Sequence, residues 1–176
     1  YVMRRDLFID MIKKAHNTSA MYSLMDWVNL MCNELDIRGV AHRGYFGSIT
    51  DFKSYYDTSM SLIDLKTARS LFDPDWPIYT RTSDSCPTQY LEGADVKASV
   101  ISNGCRIEGT IDHSILSRGC IIKKGAVVKN CVILPDVVIG EDTVLENVVV
   151  DKHVRINHIK EVKGTPEHPG YVKRGD

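Results

Sequence analysis

The chain is 176 residues long, with 43% hydrophobic and 26% charged side chains and a net charge of −1. That balance suits a folded domain with a real core and gives no electrostatic case for nucleic acid or an anionic membrane surface. No apolar run approaches the ~18 residues of a membrane span. The five cysteines, Cys32, Cys86, Cys105, Cys120 and Cys131, form neither a CxxC pair nor a Cys/His cluster with zinc spacing, so free thiols in a cytoplasmic protein are expected.

The first residues, Tyr1 to Asp6, carry no signal-peptide core and do not start with Met, so the chain is expected to be a piece of a longer protein. Tyr1-Val2-Met3 reads as a short strand. Asp6 can cap a helix carrying Leu7, Met11, Ile12 and Ala15. Thr18 or Ser19 can open a second, with Leu24, Trp27, Val28, Met31 and Leu35 on one face. A strand at Gly39-Val40-Ala41-His42 leads into Gly44-Tyr45-Phe46, and Thr50 or Asp51 starts a third helix through Phe52, Tyr55, Tyr56, Met60 and Ile63. Pro74, Pro77 and Pro87 make residues 73–93 an extended linker.

The pattern then changes to a repeat. Four nine-residue segments start at Ser99, Ser114, Cys131 and Val148, separated by 15, 17 and 17 residues. Ile101, Leu116, Ile133 and Val150 share one slot, and Ile107, Ile122, Ile139 and Ile156 share another. Two residues before each, where strand alternation again points inward, stand smaller groups: Ser99, Ser114, Cys131 and Val148, then Cys105, Cys120, Val137 and Val154. A third side repeats the order with Ala126/Val128 and Thr143/Leu145. Gly104, Gly119, Asp136 and His153 fill one corner, and Gly125 and Asp142 another; these residue types tolerate positive φ. The reading is a parallel β-helix whose short coils stack around a dry aliphatic axis. Parallel crossovers are normally right-handed.

One column does not suit free solvation. Val100, Ile115, Val132 and Val149 should point outward, and all four are β-branched and apolar. A contiguous apolar stripe marks an interface, so these are the interface candidates, with Arg106 and Arg155 in the neighbouring outward slot as a rim. Val127 and Val144 point outward on the third side. Residues 158–176, polar and containing Pro166 and Pro169, read as a cap.

Residues 44–57, Gly-Tyr-Phe-Gly-Ser-Ile-Thr-Asp-Phe-Lys-Ser-Tyr-Tyr-Asp, resemble the end of the catalytic domain of the ADP-glucose pyrophosphorylases (glucose-1-phosphate adenylyltransferases). There the pattern is Gly-Tyr-Trp-x-Asp-Val/Ile-Gly-Thr followed by a helix. Trp76-Pro77-Ile78-Tyr79-Thr80, Val100 to Cys105 and Ser114 to Gly119 are similar to that family's linker and first coils. The resemblance implies a left-handed hexapeptide β-helix preceded by the helical tail of a truncated α/β nucleotidyltransferase-like domain. The implied division is 1–72 for that remnant, 73–93 for the linker, 94–157 for the β-helix and 158–176 for the tail.

The family uses Mg²⁺ and ATP, and its pattern carries a metal-binding Asp where this chain has Ser48, and Gly where it has Thr50. A hydroxyl does not replace a carboxylate as a hard-cation ligand. The stretch therefore looks like the family's non-catalytic, GlgD-type subunits. The resemblance implies no catalytic residue, cofactor site or metal site in this stretch, and a catalytic adenylyltransferase subunit, or self-association through the β-helix, as partner. Asp26 stands near a family Asp in unlike surroundings and takes no role. The alternatives are a catalytic adenylyltransferase subunit making ADP-glucose and pyrophosphate from ATP and glucose-1-phosphate, with this stretch lacking the active site, and, more remotely, a hexapeptide acyltransferase. His113, placed in the shortened corner, and His153 are the only candidate bases in the coils. With His158 they show no recurring zinc spacing.

Overall fold

The computed structural model describes residues 1–17, 23–80 and 82–175. Two compact units divide between Arg43 and Gly44. In the first, α1 (Arg5–Asn17) starts one residue ahead of Asp6, which lies in its first turn, and the Phe8 amide bonds the Arg4 carbonyl at 3.1 Å. The expected caps Thr18 and Ser19, and the side chain of Ala15, lie outside what the structure describes. Helix α2 (Leu24–Leu30) is capped instead by Ser23, whose hydroxyl accepts from the Asp26 amide at 3.2 Å and donates to its carboxylate at 2.8 Å. Asp26 thus serves its own helix end. Met11 and Trp27 are buried, and a cavity of about 590 Å³ opens among Leu7, Trp27, Val28, Leu35 and Ile37. The strands expected at Tyr1–Met3 and Gly39–His42 do not form, because neither segment finds a partner to complete a ladder.

The second unit holds the coils. Among the described residues, fifteen strands of two or three residues make three parallel sheets of five. The first contains β1 (Gln89–Tyr90), β4 (Arg106–Ile107), β7 (Ile121–Ile122), β10 (Val138–Ile139) and β13 (Arg155–Ile156). The second contains β2 (Asp95–Lys97), β5 (Thr110–Asp112), β8 (Val127–Lys129), β11 (Val144–Glu146) and β14 (Glu161–Lys163). The third contains β3 (Val100–Ile101), β6 (Ile115–Leu116), β9 (Val132–Ile133), β12 (Val148–Val150) and β15 (Gly170–Val172). Register follows the repeat columns: Ile122 pairs with Ile107 and Ile139, and Leu116 with Ile101 and Ile133.

The physical logic is vertical. Each strand is too short to bury anything by itself, but stacking brings every inward Ile or Leu between its counterparts above and below. Ile107, Ile122, Ile133, Ile139, Leu116 and Leu145 are fully buried. The small inward column closes its own polar accounts. The Ser114 hydroxyl donates to the Asp112 carbonyl at 2.8 Å and accepts from the Cys131 amide at 3.0 Å. The thiols of Cys105, Cys120 and Cys131 donate to the carbonyls of Ser117, Leu134 and Lys129 at 3.2, 3.3 and 3.1 Å. No buried side-chain nitrogen or oxygen lacks a partner among the described residues.

Corners turn where the sequence supplies left-handed backbone. Gly104, Gly119, Asp136 and His153 have φ of 81, 71, 60 and 62°. A third corner column, Ala98, His113, Asn130 and Asn147, has φ of 43, 44, 50 and 53°. His113 therefore sits in a full corner, between β5 and β6. The shortened corner is Glu108-Gly109, between β4 and β5. Its brevity needs a residue without a side chain, since a Cβ on Gly109 would run into the Ala126 carbonyl oxygen and come within 3.1 Å of Ile122 Cγ2.

The coils run from Gln89 to Val172, beyond the expected 94–157. Tyr90 takes the inward Ile slot of the first rung, paired with Ile107. In the last rung, residues 164–169 lengthen the passage from β14 to β15 and break the spacing that marks the other coils. Two further helices join this unit rather than the first: α3 (Phe52–Ser61) and α4 (Leu65–Leu71). The boundary expected at residue 72 thus differs from the compact division after Arg43. Helix α4, capped by Asp64, was not expected, because the apolar spacing of α3 runs on to Ile63 and hides the break.

Truncating one axial residue should cost its burial plus a cavity. Ile139→Ala is expected to lower unfolding free energy by about 3 kcal/mol in denaturant titration. An unchanged midpoint would contradict the register.

Candidate functional site

The outward apolar column is the feature that the stacking does not explain. Strands β3, β6, β9 and β12 place Val100, Ile115, Val132 and Val149 in one line, paired rung to rung. Their environments differ. Val100 is 43% exposed and Ile115 is half-buried, whereas Val132 and Val149 are 3% and 2% exposed. The cover is α3. Tyr56 forms a small buried cluster with Val132 and Val149, against which Tyr55 and Met60 pack. At the next rung Phe52 meets Tyr171 edge-on, with ring centroids 5.5 Å apart. The Tyr56 hydroxyl donates to the Asn130 carbonyl at 2.7 Å, reaching one of the positive-φ corners.

Of the four interface candidates, then, Val132 and Val149 are covered by the chain's own helix and are not available to another molecule. Val100 on β3 and Ile115 on β6 lie outside that cluster, the first exposed and the second half-buried. Periodicity marked the column as apolar; it could not show that a helix some 75 residues earlier supplies half of its cover. The signal was present in α3 itself, where Phe52, Tyr55, Tyr56 and Met60 form one apolar face. Arg106 and Arg155 are exposed on the neighbouring sheet, and Arg106 lies 3.9 Å from Glu108.

The loop ahead of α3 is the other place where chemistry was expected. Ser48 is exposed. Asp51, the nearest carboxylate in sequence, is occupied as the helix cap: its Oδ1 accepts from the Ser54 amide at 2.7 Å, and that bond with the Ser54 hydroxyl holds the carboxyl below its usual range. Residues 44–51 therefore offer the hydroxyls of Tyr45, Ser48 and Thr50 and one committed carboxylate, a donor set that does not suit Mg²⁺. Among the described residues no group of three or more His, Cys, Asp or Glu is placed to hold a metal ion.

The histidines stand apart. His113 Nδ1 is 3.0 Å from Asn130 Oδ1, and His153 Nδ1 is 3.5 Å from Asp136 Oδ2 at a different corner. Each has a local partner in its own corner column, and the two do not converge on a common cleft. Among the described residues no helix is long and apolar enough to cross a membrane.

Comparison with known proteins agrees with this architecture. Residues 87–168, which hold most of the coils, match the family described as GlmU-like, C-terminal hexapeptide. The chain is 39% identical over 175 residues to the "Glycogen biosynthesis protein GlgD" of Bacillus subtilis, covering 99% of this chain and 51% of that one. The protein of the same name from Geobacillus stearothermophilus gives the same identity and coverage. The "Glucose-1-phosphate adenylyltransferase" of Streptomyces coelicolor is 37% identical over 86 residues, 49% of this chain and 22% of that one. The chain thus spans about half the length of the GlgD proteins that it matches.

The docked helix has a titratable reporter. Burial, with the nearby Cys131 and Asp57, pushes the Tyr56 phenol from its ordinary 10.0 up to about 12. The native state then favours the neutral phenol, so its contribution is full below pH 10 and is lost as pH rises through about 12. Tyr56→Phe is expected to cost about 1 kcal/mol at neutral pH. Its deficit should shrink between pH 10 and 12 in paired denaturation curves. A constant deficit across that window would place the phenol in water.

Proposed function

We propose that the protein to which this chain belongs is a regulatory and assembly partner of a glucose-1-phosphate adenylyltransferase in cytoplasmic glycogen synthesis. The observation that carries this reading is the extent of the likenesses. Similarity to the GlgD proteins runs along 99% of the chain, whereas similarity to the Streptomyces adenylyltransferase covers 49% of it. The loop bearing Ser48 supports it, because that loop lacks the donors a catalytic Mg²⁺ needs.

The coils supply the docking surface in this reading. On the third sheet, α3 covers β9 and β12 and touches Tyr171 of β15, and Val100 and Ile115 continue the same column outside that cover. The occupant is a catalytic adenylyltransferase chain, a protein of the kind to which this chain is 37% identical over 86 residues. An apolar patch of this kind, flanked by polar residues, suits a partner that brings a matching aliphatic surface.

The test is to mix the whole protein with the adenylyltransferase of the same cell. Size-exclusion chromatography should show a joint complex, and ADP-glucose formation from ATP and glucose-1-phosphate should change in rate or effector response. Ile115→Asp should weaken the complex by roughly tenfold or more while leaving thermal unfolding nearly unchanged. Separate elution with unaltered kinetics would refute the reading, and ADP-glucose formation by the whole protein alone would make it a catalytic subunit.

A further inference from the structure

The loop 44–51 is not a loose lead-in to α3. It is fastened to that helix along its length. At one end the Tyr45 hydroxyl lies 3.1 Å from Ser61 Oγ, in the last turn of α3. In the middle, a Cβ on Gly47 would come within 2.8 Å of Thr58 Cγ2 and 3.0 Å of the Tyr45 hydroxyl, so the backbone lies flat on the helix. At the other end the amides of Thr50 and Asp51 donate to Ser54 Oγ at 2.9 and 3.0 Å, and Asp51 returns the bond in a capping box. The opposite face of the same helix is fixed to the coils by Tyr56 on Val132 and Val149 and by Phe52 on Tyr171. Loop, helix and outward column therefore form one continuous packed path.

We infer that α3 is a strut coupling the coil face to the 44–51 loop, so that a displacement at either end is transmitted to the other. The helix is ten residues long and is fastened on one side to the loop, through the Asp51 cap, and on the other to the coils, through the Tyr56 bond to Asn130. An element held on both faces by side-chain contacts shifts as a body, because close packing does not absorb small displacements locally. The biological use of the strut rests on the partner reading above: a subunit seated on Val100 and Ile115 abuts the column on which α3 rests, and its arrival would reach the loop bearing Ser48.

The experiment is amide hydrogen exchange on the whole protein without any partner, comparing Val149→Ala with Val100→Ala. Val149→Ala removes methyls from beneath Tyr56, whereas Val100→Ala removes them from the same column outside the cover of α3. Val149→Ala is expected to speed exchange about tenfold both in α3 and in residues 44–51, with Val100→Ala leaving both unchanged. In the reverse direction, Gly47→Ala should lower the Tyr56 phenol titration toward the ordinary tyrosine range. Faster exchange in α3 with the loop unchanged overturns the strut, as does an unaltered Tyr56 titration in Gly47→Ala. Should Val149→Ala fail to fold, Tyr56→Phe makes the same comparison with a smaller perturbation. Coupling without any association with an adenylyltransferase would support the strut and overturn the partner reading.

Discussion

An inward aliphatic side chain on a two-residue strand finds only the few inward residues of the other two sides within its own coil. It is buried only if the coils above and below place a matching side chain at the same corner-to-corner distance. That vertical requirement fixes nearly everything else in the unit from Gly44 to Asp176. It forces Ile107, Ile122, Ile139 and Ile156 into register. It restricts the turn positions to backbone that can run at positive φ, and it makes small polar side chains such as Ser114 useful, because their hydroxyls can satisfy backbone groups inside the stack.

The same alternation that sends one residue inward sends its neighbour outward, and here the functional reading begins. An outward Val on an exposed strand is ordinary; a line of four over successive rungs is an apolar stripe. Helix α3 resolves half of it. With Tyr56 over Val132 and Val149, the stripe is divided into a part that holds the chain's own helix and a part, Val100 and Ile115, open for a partner. This division ties the loop bearing Ser48 to the β-helix through one helix.

Much of this was legible in the sequence, for a physical reason. Periodicity reports contacts between positions one coil apart, so the axial columns, the corners at Gly104 and Gly125, and the apolar character of the outward line could all be read from spacing. The residues that escaped lie where spacing fails. Tyr90 substitutes an aromatic ring for the expected Ile, and residues 164–169 stretch the last coil, so both ends of the stack were placed too far inward. The strands expected at Tyr1–Met3 and Gly39–His42 had the right composition but no partner to pair with. The docking of α3 on β9 and β12 joins residues far apart in sequence with unrelated periods, helical on one side and two-residue on the other. Only the three-dimensional structure could show which part of the column it covers. His113 was misplaced by reading the shortened coil as a deletion near the histidine, when the lost residues lie at Glu108-Gly109.

One apolar column serves two occupants, with α3 on β9 and β12 and the proposed partner subunit on β3 and β6. Hydrogen-exchange footprinting of the whole protein in complex with an adenylyltransferase tests this most directly. The account predicts new protection at Val100–Ile101 and Ile115–Leu116 while the underside of α3 stays as protected as it was. Protection confined to residues away from β3 and β6, or a partner that displaces α3 from Val132 and Val149, would contradict it.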